Sequence, residues 1–140
     1  MSHAIPSRPQ LFSERCHIAI VASRFNQEFV DSMLDSARDE LQLIAPNTTL
    51  AVYRVPGAYE IPVTVEKLLR TTETDAVIAL GVIIRGATEH ADLVGASVTD
   101  ALQNIAVTHA IPVIHEVLLV NDEEQAAHIL TSSLHAHVRI

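Results

Sequence analysis

Residues 75–83 read DAVIALGVI, and after the aspartate every position is apolar or glycine. A strand with one wet face alternates apolar and polar side chains, whereas this run does not alternate, so it reads as a strand covered on both faces. Such strands belong to parallel sheets with helices above and below. The run is also far shorter than the roughly 20 residues that span a bilayer.

The flanking sequence repeats the alternation this implies. Upstream, HIAIVAS (17–23) is a short β-branched run, and Asn26 is placed to cap QEFVDSMLDSARDELQLI (27–44), where Phe29, Val30, Met33, Leu34, Ala37 and Leu41 recur at helical spacing. TLAVYRV (49–55) is a second strand, Pro56-Gly57 breaks it, and YEIPVTVEKLLR (59–70) can be helical because Pro62 falls in its first turn. Downstream, a helix is expected from about Glu89 through His109, then a strand PVIHEVLLV (112–120), then Asp122 as a cap for EEQAAHIL (123–130). Strands alternating with helices imply parallel pairing through right-handed crossovers. The expectation is a single flavodoxin-like α/β domain in three layers, a four-stranded parallel sheet between helices, over residues 16–140. Residues 1–15, with two prolines and no unbroken apolar core, read as an N-terminal arm.

Composition narrows the function. The formal charge of −8 argues against nucleic acid or an anionic membrane as partner, so an anionic ligand needs a local positive site. Cys16 is the single cysteine, which excludes an internal disulfide and a cysteine-based zinc cluster and fits a cytoplasmic protein. His135 and His137 alternate as strand ligands could, with His115 and His128 nearby in sequence, but no third carboxylate or cysteine completes a metal spacing. No metal site is expected.

Open parallel sheets bind ligands at the carboxyl ends of their strands. That rule selects three segments: SRFNQ (23–27), VPGAYE (55–60) and IRGATEH (84–90). In the third, Gly86-Ala87-Thr88 stands at a helix start, where backbone N–H groups and the helix dipole can hold a phosphate or carboxylate. His90 follows, and histidine titrates near neutrality, so it could relay a proton beside the anion. Spacing leaves the plainer roles open: Gly86 for the turn, Thr88 as a cap, His90 as structural. Phe25 and Tyr59 could stack on a flat ligand, although from pattern alone a core role explains them better. Glu60 could accept hydrogen bonds from a polyol or amine, or could be a solvated first-turn acid.

Taken together, SRFN, VPGAYEIP and GVIIRGATEH, in this order and at these separations, closely resemble the lumazine synthases, which catalyse the penultimate step of riboflavin biosynthesis. The likeness extends from about Ile18 to Gln125 through IPVI (111–114) and NDEEQA (121–126). It implies condensation of 5-amino-6-(D-ribitylamino)uracil with 3,4-dihydroxy-2-butanone 4-phosphate, without metal or organic cofactor. By the same resemblance Ala87 and Thr88 hold the phosphate, His90 transfers protons and Phe25 stacks on the pyrimidine. Gly57, Ala58, Tyr59 and Glu60 belong to the segment facing the ribityl chain, with Ala58 and Glu60 in contact, and the backbone at Ile83 and Ile84 reads the uracil edge. The family assembles as pentamers with sites between subunits, the neighbour lending an aromatic residue where this chain has His115, followed by Glu116. Where family chains carry a phosphate-binding arginine, this chain has Ile129, and His128 and Arg139 are the nearest substitutes. Loss of one charge-assisted contact costs about 1.5–3 kcal/mol, or roughly ten- to hundred-fold in affinity. Two alternatives follow: a weakly active relative that binds flavin or lumazine ligands, and an oligomeric scaffold built on helix 90–109.

Overall fold

The computed structural model describes Ser7 and residues 15–131. Most of the expected arm over residues 1–15 lies outside the described residues, as do His135, His137 and Arg139 of the tail. The elements are β1 His17–Ser23, α1 Gln27–Ile44, β2 Thr49–Val55, a 3₁₀ turn Ala58–Glu60, α2 Ile61–Thr71, β3 Ala76–Ile84, α3 His90–His109, β4 Val113–Val120 and α4 Glu123–Thr131. β1 and β2 match the expected runs residue for residue. β3 sits one residue further on, and β4 begins after Pro112, whose ring leaves no N–H for a ladder but whose carbonyl accepts the Val77 N–H at 2.9 Å.

All three strand pairings are parallel, in the order β2-β1-β3-β4. Successive side chains of a strand point to opposite faces. Ile18, Ile20 and Ala22 of β1, with Ile78, Leu80 and Val82 of β3, pack under α1 and α4. Ala19, Val21, Val77 and Ala79 pack under α2 and α3. This is the three-layer arrangement that the doubly apolar run at 75–83 implied. Gly81 interrupts that run because a Cβ there would lie 3.3 Å from both Ser23 Oγ and Val117 Cγ1 and 3.4 Å from Ile61 Cδ1. Its lack of a side chain lets α2 begin close to the sheet.

The helix ends show which polar residues do local work. Asp122 caps α4 as expected, its Oδ1 accepting the Gln125 N–H at 2.7 Å, while Gln125 Oε1 accepts the Asn121 N–H at 2.6 Å. Ile129 turns inward with Ala126 and joins the core against α1. On the other face, Glu66 of α2 accepts from His109 of α3 at 2.8 Å and from Arg70 at 2.7 Å. The bond from His109 leads in holding the Glu66 carboxyl below its ordinary range. Among the described residues no helix is long and apolar enough to cross a membrane.

Glu116 is the unusual charge. It lies on edge strand β4 between Ile114 and Leu118, whose side chains belong to the α1–α4 face, and burial pushes its carboxyl up to about 7 from 4.5. A carboxyl raised in the folded state costs nothing below pH 4.5, where it is neutral folded and unfolded. The cost grows as pH rises and is complete above about 7. Because solvent still reaches part of the group, that cost is on the order of 1–2 kcal/mol. Glu116→Gln should therefore stabilise the fold by about that amount at pH 8 and by nothing at pH 4, which urea unfolding at the two pH values measures.

Candidate active site

Strand order reverses between β1 and β3: the chain leaves β1 toward β2 on one side, and leaves β3 toward β4 on the other. The connections that follow β1 and β3 diverge, and a cleft opens between them at the carboxyl ends of the strands. Its volume is about 460 Å³, and all three sequence segments selected above reach its wall.

At one end stands Phe25. Its ring is 71% exposed, so the core role favoured by pattern alone is not the observed one, and Tyr59, at 64%, corrects in the same way. Both fall after strand ends, where the sheet no longer covers them. The Phe25 backbone is held nonetheless, its N–H donating to Pro56 O at 3.0 Å while Arg24 N–H donates to Val55 O at 2.8 Å. Gly57 lies against the ring, and a Cβ at Gly57 would meet Phe25 Cδ2 and Glu60 Oε2, each at 3.2 Å. Glu60 is not a freely solvated acid: it is half-buried, lines the cleft, and its Oε2 accepts the Gly57 N–H at 2.9 Å, leaving Oε1 as a further acceptor. Glycine at position 57 thus permits an aromatic platform and an oriented carboxylate to sit side by side.

At the other end, Gly86, Thr88 and His90 line the cleft where α3 begins. The first N–H groups of a 20-residue helix have no carbonyl one turn earlier, and they concentrate partial positive charge there. Thr88 Oγ1 lies 3.4 Å from the His90 N–H, a long contact that leaves the hydroxyl able to serve a ligand. The neighbouring cation, Arg85, is engaged by Asp92 in a two-pronged pair, with contacts of 3.0 and 2.8 Å. Between the two ends, Ile83 and Ile84 bring the last backbone of β3 into the wall.

Of the expected residues, Phe25, Gly57, Ala58, Tyr59, Glu60, Ile83, Ile84, Thr88 and His90 come together in this cleft. Ala87, between two lining residues, does not itself line it. His115 lies elsewhere in the subunit, on the face of β4 toward α3. Thr99 Oγ1 lies 2.8 Å from Gly95 O, to which it donates, and 2.9 Å from His115 Nε2. His115 Nδ1 in turn accepts the Val117 N–H at 3.4 Å. Sequence reasoning missed Asn26, read only as a helix cap. It lines the cleft, its φ is 56°, its side chain makes no capping bond, and its Nδ2 donates instead to Val82 O at 2.7 Å. The signal was its place between the candidate residue Phe25 and a helix, where a left-handed turn favours asparagine.

Comparison with known proteins agrees with the geometry. The family model for 6,7-dimethyl-8-ribityllumazine synthase matches residues 15–137. The 6,7-dimethyl-8-ribityllumazine synthase of Mycolicibacterium gilvum is 45% identical over 122 residues, spanning 87% of this chain and 75% of that protein. That of Kineococcus radiotolerans is 43% identical over 111 residues, covering 79% and 68%. That of Yersinia pestis is 41% identical over 111 residues, covering 78% and 71%. With a matching model over nearly the whole chain and a cleft assembled from the three motif segments, this chain belongs to the 6,7-dimethyl-8-ribityllumazine synthase family.

Proposed function

We propose that this chain condenses 5-amino-6-(D-ribitylamino)uracil with 3,4-dihydroxy-2-butanone 4-phosphate to form 6,7-dimethyl-8-ribityllumazine, as a transferase of riboflavin biosynthesis. The observation that carries the reading is that one cleft holds an exposed aromatic ring and an oriented carboxylate at one end and a threonine–histidine pair at a helix N-terminus at the other.

In this reading Phe25 stacks on the pyrimidine, the strand end at Ile83–Ile84 offers backbone groups to the uracil edge, and Glu60 accepts hydroxyls of the ribityl chain. The loop Gly86–Thr88, with Ala87 supplying a backbone N–H, and the first turn of α3 hold the phosphate. His90, one turn from that anion, takes and returns protons as the pyrimidine amine forms an imine with the ketone and releases water, and again as phosphate leaves. Holding two substrates end to end converts a bimolecular encounter into an internal one, which is a large part of the expected acceleration. With Ile129 in the core, phosphate binding rests on the helix terminus and Thr88, so a weak affinity for the four-carbon substrate follows.

The assembly in this reading is a cytoplasmic homopentamer whose sites lie between neighbours, His115 facing the adjacent subunit's ligand. It is supported by α3, where Leu93 and Val107, about four turns apart on one side, leave 68% and 69% of their surfaces exposed. Sedimentation or native mass spectrometry should return the mass of five chains, and a monomer would end the proposal of shared sites.

Two substitutions test the chemistry, both read as lumazine formation against a protein-free control. His90→Ala should lower kcat by about 10²-fold or more; turnover equal to the parent protein removes His90 as the proton carrier. Glu60→Gln should raise KM for the pyrimidine about ten-fold with kcat within a few-fold, because it weakens an interaction made equally in ground and transition states.

A further inference from the structure

We propose that Asn26 is a positioning residue that sets the width of the slot between Phe25 and the end of β3, an inference that rests on the functional reading above and deepens it.

The argument begins with a carbonyl. β1 and β3 pair from Ile18↔Ala76 to Ala22↔Leu80, and Val82 lies beyond the last pair. Val82 is almost fully buried, so its backbone oxygen, with no further residue of β1 opposite, must find a donor or lose a hydrogen bond in an apolar setting. Asn26 Nδ2 supplies it at 2.7 Å across 56 positions of sequence. Donation to a carbonyl identifies that atom as nitrogen, so the amide orientation is determined and Oδ1 is the acceptor left over.

Reaching Val82 requires the loop to turn back on itself. Asn26 does so in the left-handed region, φ 56° and ψ 43°, where asparagine is among the few tolerated residues besides glycine. Its own carbonyl meanwhile accepts from Phe29 and Val30 at 3.1 and 3.2 Å, starting α1. The preceding residue, Phe25, is bonded through its N–H to Pro56 O on the opposite side. The dipeptide Phe25–Asn26 is therefore fastened to the end of β2 by main chain and to the end of β3 by one side chain. The ring itself is open to solvent. Without the amide, main-chain bonds to Pro56 and to the first turn of α1 would remain, but none would tie the dipeptide to β3 and fix the distance from the ring to Ile83 and Ile84.

Two variants separate the backbone from the side chain. Asn26→Gly keeps the left-handed turn and removes the amide; Asn26→Asp keeps the size and the leftover oxygen but offers an acceptor to Val82 O. Two readouts apply to each. Hydrogen exchange of the ligand-free protein should accelerate in peptides covering residues 24–30 and 82–88 for both variants, with the rest of the chain unchanged. Affinity for riboflavin, used as a planar probe, and KM for the pyrimidine should each worsen about ten-fold or more, while KM for the four-carbon phosphate stays within about two-fold. An Asp variant with parental affinity would show a direct acceptor contact and overturn the proposal, as would unchanged exchange in either variant. A uniform loss of protection and of both KM values would mark a merely structural residue and also overturn it. If the parent protein makes no lumazine and binds no riboflavin, the functional reading fails on its own, and the exchange data still decide whether Asn26 holds the slot.

Discussion

The pairing of β1 with β3 is the constraint from which the rest of the molecule follows. Both strands are buried on both faces, so their ladder is shielded from water and their side chains can pack only under helices. It is also where strand order reverses. A chain leaving β1 and a chain leaving β3 must part company there, and a gap at their carboxyl ends is unavoidable. The cleft is thus a consequence of topology before any particular side chain enters it. The ladder stops at Ala22↔Leu80, while β3 runs on to Ile84, and Val82, Ile83 and Ile84 reach the wall of the cleft.

What the loops add is an orientation for groups that the sheet does not cover. An aromatic ring in water would ordinarily fold back on apolar surface, yet Phe25 stays outward because its backbone is bonded to Pro56 and Gly57 leaves room beside it. Glu60 turns one oxygen to Gly57 N–H and so presents the other in a set direction. The opposite end relies on helix α3, whose terminus concentrates partial positive charge in an acidic chain of net charge −8. Three arginines are held by carboxylates: Arg85 by Asp92, Arg54 by Asp31 and Arg70 by Glu66. The Asp31 carboxyl, bonded by Arg54, is accordingly lowered from its usual range.

Ile129 of α4 is drawn under α1 with Ala126, adding apolar burial to that face of the sheet.

Much of this was legible in the chain itself. The doubly apolar run at 75–83, the helical spacing over 27–44 and the prolines at 56, 62 and 112 set element types and boundaries, because periodicity and missing N–H groups act locally. Three motif segments after strand ends named nearly every lining residue. Packing decided the remainder. Whether Phe25 and Tyr59 were core or surface depended on which loops leave the sheet uncovered, and pattern alone favoured the wrong one. Asn26 looked like a cap because a cap requires only its neighbours, but its partner is a carbonyl 56 residues away that becomes orphaned only when β1 ends before β3 does. The burial that raises Glu116 likewise exists only once α1 and α4 have closed over that face. Local sequence determined which segments are strands, helices and ligand loops, since those choices rest on near-neighbour sterics and spacing; the tertiary structure alone decided which polar groups lose water and must find each other.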